Sequence, residues 1–245
     1  MATPAALSKP ASVPEGMDSF IPQPPKIQAE RILRIQGYSN LQRVRPAIRR
    51  ASESMAALAP TLSTPRVAYR RVPIRSIHGG LLELDANCRF HCLAFDSILR
   101  GCTEAAVFVL TAGPKLDARV IELADQGELL DALLLETTGW LCIEDATRQF
   151  KVHLRQESIA SGRRITSRMG PGYSYKVDHA MATWPLEEQA LLFGLFGNAD
   201  LPVSLMHSSA MQPKMSRSGL FGIAPLTEQS GGNASLSQKL RALPA

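Results

Sequence analysis

The chain has 245 residues, a net charge of +5 and 45% hydrophobic side chains, enough for one sizeable core and outside the range of disordered or fibrous polymers. The charge is uneven: residues 1–75 carry +8 and residues 76–245 carry −3. The basic segment dilutes its arginines with apolar residues and has few aromatics for base stacking, so nucleic-acid binding is not expected.

Residues 1–26 are rich in Pro, Ala and Ser and read as a flexible leader without the basic start or continuous apolar centre of a signal peptide. A short helix fits residues 27–35, closed by Gly37, and a second fits 41–58, ended by Pro60 and Pro65. Strands are predicted at 67–74 and 80–84, and a short helix at 90–99. The unbroken apolar run at 105–110 reads as a buried strand, and the turn at Gly113 and Pro114 opens a helix over 115–125. A long helix follows over 128–154, apolar nearly all round in its first half and charged in its second. Residues 158–172 read as a loop, 185–196 as a helix with Pro185 at its first turn, and 201–206 and 216–223 as closing strands. From residue 227 the composition turns polar, which reads as a mobile tail. Short strands that do not alternate with helices favour an α+β domain over a doubly wound sheet. No run approaches the ~20 apolar residues of a membrane span. Four cysteines in a chain this long fit a reduced, cytoplasmic protein.

Several groups have chemical potential. Cys88, His91, Cys92 and Cys102 are of zinc-ligand type, but a second closely spaced Cys pair is missing. A helix over 90–99 would also place Cys92 and Cys102 roughly 15 Å apart. Buried thiols acting as small hydrophobes are the simpler account. Glu136 and Glu144 fall in or beside the apolar half of the long helix, where a carboxylate is paired, neutral or functional. Asp178, His179 and His207 have no metal-helix spacing or nucleophile elbow beside them. The stretch from Arg168 to Tyr173 is the strongest site candidate. Gly170 and Gly172 permit close backbone approach, Pro171 stiffens the turn, Arg168 offers a planar fork for a carboxylate or phosphate, and Tyr173 adds an amphipathic ring. It lacks the Gly-Lys-Ser/Thr ending of a phosphate loop.

The ordered set of these segments resembles the activation-domain family of vitamin B12-dependent methionine synthase, in its short stand-alone form. The similarity centres on Arg168 through Asp178 and His179, and on the segment from Ser209 to Gly219. It extends to Ile32–Tyr38, Thr111–Asp117 and Trp184–Gln189. The sequence departs from the family pattern at Ser174, Lys176, Val177 and Gln212.

The resemblance implies a single α+β domain over 27–225, between the leader (1–26) and the tail (226–245), with a central, mostly antiparallel sheet flanked by helices. It implies a non-autonomous reactivation subunit that presents S-adenosylmethionine while cob(II)alamin is reductively methylated. Arg168 would hold the ligand carboxylate, Met169, Gly170 and Gly172 would line it, Tyr173 would approach the corrin, and Glu144 would take the amino group. The corrinoid would be carried by a partner protein or methyltransferase, since no cobalamin-binding segment is found, with a flavodoxin-like or iron–sulfur reductant supplying the electron. The alternative is a docking or chaperone module for a corrinoid protein that no longer binds S-adenosylmethionine. Either way, the N-terminal arginines suit an acidic protein partner.

Overall fold

A computed structural model describes residues 16–226 except Ala86 and His179. Its centre is β5 (Glu104–Thr111), whose apolar run is buried on both faces because layers cover both sides of the sheet. β5 lies between β2 (Arg66–His78) and β11 (Ser216–Pro225), antiparallel to both. Beyond β2 come β3 (Leu81–Leu84) and β4 (Cys88–His91), and beyond β11 comes β6 (Arg163–Met169). β1 (Met17–Phe20) pairs with the first half of β2. Every pairing among these seven strands is antiparallel.

One face of the sheet is covered by helices: α1 (Ala29–Ile35), α2 (Pro46–Leu62), α4 (Pro114–Asp125) and the 32-residue α5 (Leu129–Ala160). Their core joins Met55, Ala59, Leu116, Leu135 and Phe150 to Tyr69, Phe108 and Phe221 from the strands. Phe150 is its hub, with ring centroids 5.1 Å from Tyr69, 5.3 Å from Phe108 and 6.0 Å from Phe221. The other face is covered by short pieces: α3 (Phe95–Ile98), the hairpin of β7 (Ser174–Val177) and β8 (Ala180–Thr183), and α6 (Gln189–Gly194) after a 3-10 turn at Leu186–Glu188. A small hairpin of β9 (Ser204–Leu205) and β10 (Met211–Gln212) follows. Trp184 centres this second core, edge-on to Phe90 and Phe95 at 5.2 Å each.

The α+β class and the antiparallel sheet with flanking helices agree with expectation; several local readings do not, among them the strand expected at 201–206, of which only Ser204–Leu205 forms, and the long helix, which runs on past 154 to Ala160. Part of the expected flexible leader is ordered: Met17–Phe20 forms β1, Phe20 stacks on His153 of α5 at 4.4 Å, and Gln23 and Gln149 exchange hydrogen bonds. Residues 1–15 and 227–245 lie outside the described residues. The expected helix over 90–99 begins as a strand, because Cys88 and Phe90 point inward while Arg89 and His91 point outward, a period of two. The helix remaining there is only Phe95–Ile98. The loop expected at 158–172 begins as the last residues of α5, to Ala160, and its middle, Arg163–Met169, is the edge strand β6, whose polar sequence is tolerated because an edge strand needs backbone pairing with β11 more than apolar side chains. Finally, α2 runs through Pro60 to Leu62, since a proline in the last turn sacrifices little of the ladder while Met55, Ala56 and Ala59 remain buried.

Candidate functional site

Arg168 and Met169 close β6, and the chain then turns through Gly170, Pro171 and Gly172 into the β7–β8 hairpin. Met169 is fully buried under the Trp184 core and anchors the turn from below. The far end of the turn is held to Trp184 by two backbone bonds. Gly172 N–H donates to the Trp184 carbonyl at 2.8 Å, and Trp184 N–H donates to the Tyr173 carbonyl at 3.0 Å. The Tyr175 hydroxyl closes the loop from inside, accepting from Gly170 N–H at 2.7 Å and donating to the Gly170 carbonyl at 3.2 Å. Burial pushes the Tyr175 phenol pKa up, so it stays protonated and able to donate at neutral pH.

The two glycines serve different needs. Gly172 has φ +80°, a left-handed conformation that other residues rarely adopt. Gly170 is required for space: a Cβ there would lie 2.9 Å from the Ser218 carbonyl oxygen and 3.1 Å from Arg168 Nη1. Across the strand pair, a Cβ on Gly219 would lie 2.2 Å from the Met169 carbonyl oxygen. β6 and β11 therefore approach each other through paired glycines at the point where the loop begins.

Arg168 is the unusual group in this arrangement. Its guanidinium carbon lies 4.4 Å from the centre of the Tyr173 ring, a cation–π contact. Its Nη1 is sealed from solvent and has no hydrogen-bond partner among the described residues. A buried donor left without an acceptor costs about 1–3 kcal/mol, so a position holding one is suited to an incoming acceptor. Tyr173 is partly exposed and forms one wall of the position.

Five of the six expected site residues, Arg168, Met169, Gly170, Gly172 and Tyr173, thus form one continuous loop. Glu144 does not touch them. It leaves α5 towards the same sheet and forms an ion pair with Arg217 of β11, whose other arm donates to Thr147 Oγ1 at 3.1 Å. Arg168 leans over Gly170, which faces Gly219, so the Arg217 backbone lies two residues, or roughly 7 Å, further along β11. Arg217, Tyr175 and Trp184 were not anticipated as parts of the site. The only sign of Arg217 in the sequence is a lone cation inside an otherwise small and apolar strand.

The other candidates are engaged elsewhere. Glu136 pairs with Lys214. Cys88, Cys92 and Cys102 are buried thiols with pKa values raised by burial, Cys102 to about 11. His91 bonds Glu188 through Nδ1 at 2.8 Å. Among the described residues, no group of three or more His, Cys, Asp and Glu is placed to hold a metal ion. Asp178 and His207 are exposed, and His179 lies outside the described residues.

No family model and no curated protein matches the sequence. Among solved structures the chain is similar to the crystal structure of the MetH reactivation domain bound to AdoHcy, with a TM-score of 0.57. The chain has the reactivation-domain fold. The match covers 87% of this chain and 80% of that one, at 14% sequence identity. At that identity the likeness is one of fold, and it spans both layers of the sheet. No helix among the described residues is long and apolar enough to cross a membrane.

Proposed function

We propose that this chain is a reactivation subunit for a cobalamin-dependent methyltransferase of the methionine synthase type, and that it binds S-adenosylmethionine at the Arg168–Tyr173 loop. The observation that carries the reading is the unpartnered Nη1 of Arg168 beside a loop that Gly170 lets pack closely against β11, within a fold whose solved neighbour holds AdoHcy. An α-carboxylate supplies the acceptor that this guanidinium lacks, and an arginine fork is the side chain best matched to it.

S-adenosylmethionine supplies the methyl group and its sulfonium leaving group; the chain's own task is positioning, which methyl transfer requires more than acid–base assistance. Arg168 holds the carboxylate, stiffened by its stacking on Tyr173. The Met169–Gly172 backbone lines the ligand, and Tyr173 presents its exposed edge to the partner's corrinoid. Glu144, steadied by Arg217 through one oxygen, keeps the other for the ligand's ammonium group. The corrinoid belongs to a separate partner, and a low-potential protein reductant of the flavodoxin or iron–sulfur type delivers the electron in the cytoplasm.

The test is calorimetric titration with S-adenosylmethionine and S-adenosylhomocysteine, followed by transfer of labelled methyl groups to a reduced corrinoid protein. Arg168→Ala and Arg168→Lys should each weaken ligand binding at least about tenfold, because Lys retains the charge but not the fork. The engagement of Glu144 by Arg217 favours a second reading, a docking module without ligand binding. Tight binding to a corrinoid protein with no affinity for either nucleoside would establish that reading and defeat the first.

A further inference from the structure

The helical layer carries a surface that the Arg168 loop does not use. The N-terminal half of α5 exposes Leu129 (68%), Leu133 (49%) and Trp140 (48%). At 3.6 residues per turn, these three fall within an arc of roughly 40°, so they form one stripe. Glu136, the acid on the same stripe, is paired with Lys214, which leaves the apolar side chains as its free groups. Ile35 at the end of α1 is also exposed. Its neighbour Gln36 donates to Thr137 Oγ1 at 2.6 Å, which seats the end of α1 against this half of α5. Scattered exposed apolar residues are ordinary, but a contiguous set of this size marks a contact surface.

The flank of this stripe is strongly basic. Arg31, Arg34, Arg43, Arg45, Arg49 and Arg50 follow one another along α1, the 3-10 turn Leu41–Arg43 and the start of α2, with no acid between Glu30 and Glu83 other than Glu53. Among the described residues none of the six forms an ion pair. By contrast Arg71, Arg75, Arg89, Arg119, Arg148, Arg163 and Arg217 are all paired with carboxylates. Arg49 is committed locally, donating to the Leu41 carbonyl and fastening α2 to the turn before it. The other five remain exposed.

We infer that α1, the start of α2 and the N-terminal half of α5 form a docking surface for an acidic, amphipathic segment of another protein. Its apolar residues cover Leu129, Leu133 and Trp140, and its carboxylates meet the arginines. Two observations select this occupant. A second copy of the chain would bring like charges together, and a nucleic-acid backbone offers phosphates but nothing apolar to cover the leucines. The inference is independent of ligand binding at Arg168.

The chain contains two tryptophans, of which Trp184 is fully buried, so a change in emission on binding reports on Trp140. The full chain is titrated with a synthetic amphipathic helix of leucine and glutamate, and with a scrambled peptide of the same composition. The expected result is a blue shift of Trp140, and binding that weakens about tenfold when salt rises from about 50 to about 300 mM. Leu133→Ser, and separately the pair Arg43→Glu and Arg50→Glu, should each weaken binding about tenfold or more with unchanged melting temperature. These positions are exposed, and the scrambled peptide keeps the test independent of any variant. Absence of a Trp140 shift, equal binding of the scrambled peptide, or tighter binding of a single-stranded oligodeoxynucleotide would overturn the proposal. So would a concentration-dependent dimer that Leu133→Ser dissolves, which would assign the stripe to a second copy.

Discussion

The two faces of the sheet are built on different terms. The helical face is covered by long elements whose apolar stripes meet in one aromatic cluster around Phe150. The opposite face is covered by helices and hairpin strands of two to six residues, too short to be stable alone, and is held by polar staples. The Glu188 carboxylate is the principal one. It accepts from His91 N–H at 2.9 Å, from His91 Nδ1 at 2.8 Å and from Trp184 Nε1 at 2.8 Å, joining β4 to the segment that follows β8. Gln189 adds a second, donating to the Ser209 carbonyl at 2.7 Å and accepting from Ser218 Oγ at 3.0 Å. The difference suggests a division of labour. A face assembled from short, stapled pieces can place a loop such as Arg168–Tyr173 with freedom, while the helical layer supplies the stability.

The largest test of this contrast is Phe150→Ala. It removes a ring in contact with four other aromatics and should cost about 3–5 kcal/mol, read as a lower denaturant midpoint for the whole chain. A loss confined to α5 would break the picture of a single helical core. Glu188→Ala should cost less, about 1–3 kcal/mol, and should act locally. Hydrogen exchange should accelerate at β4 and around Trp184 while α5 amides keep their protection. Equal acceleration in α5 would mean that the two faces unfold as one.

At neutral pH the smallest effect is that of the buried thiols, one from each face, whose contribution changes only in alkali. Burial raises Cys142 in the helical core to about 12 and Cys102 on the opposite face to about 11. Thiols in the unfolded chain ionise near 8.5–9, so both contributions to stability are complete below that range and are lost as pH rises towards the folded values. Each thiol should remove roughly 1.4 kcal/mol per pH unit once the unfolded form ionises and the folded one does not. Cys142→Ala should flatten the alkaline limb of the stability profile up to about pH 12, and Cys102→Ala only up to about pH 11. An alkaline limb that neither variant changes would show that burial does not hold these thiols protonated.

Legibility in the sequence followed the same division. The helical layer was readable because its signals are local: the apolar run of β5, Gly37 after α1, Pro114 at the start of α4, and the nearly all-apolar first half of α5. The opposite face was harder. The sequence favours a helix from Phe90, across the end of β4, because Phe90, Cys92 and Phe95 are apolar enough for either structure, and only pairing with β3 imposes the period of two. β6 reads as loop in the sequence because its apolar content is low, and its strand character comes from the partner it borders. The Arg168–Tyr173 loop was visible through its glycines and prolines. The need for Gly170 came from Ser218, 48 residues away in sequence, and could not be read locally.

The sequence by itself determined the α+β class, the order of most elements, the uneven charge and the loop that carries the candidate site, because periodicity, turn residues and charge are written into neighbouring positions. Tertiary structure decided which groups remain free to act. It engaged one oxygen of Glu144 with Arg217, gave Glu136 to Lys214, buried the thiols, and, among the described residues, left Arg168 Nη1 without an acceptor and the arginines of residues 31–50 without counter-charges. Whether a polar group is satisfied depends on what the fold brings within hydrogen-bond reach, and those partners lie up to 78 residues away along the chain.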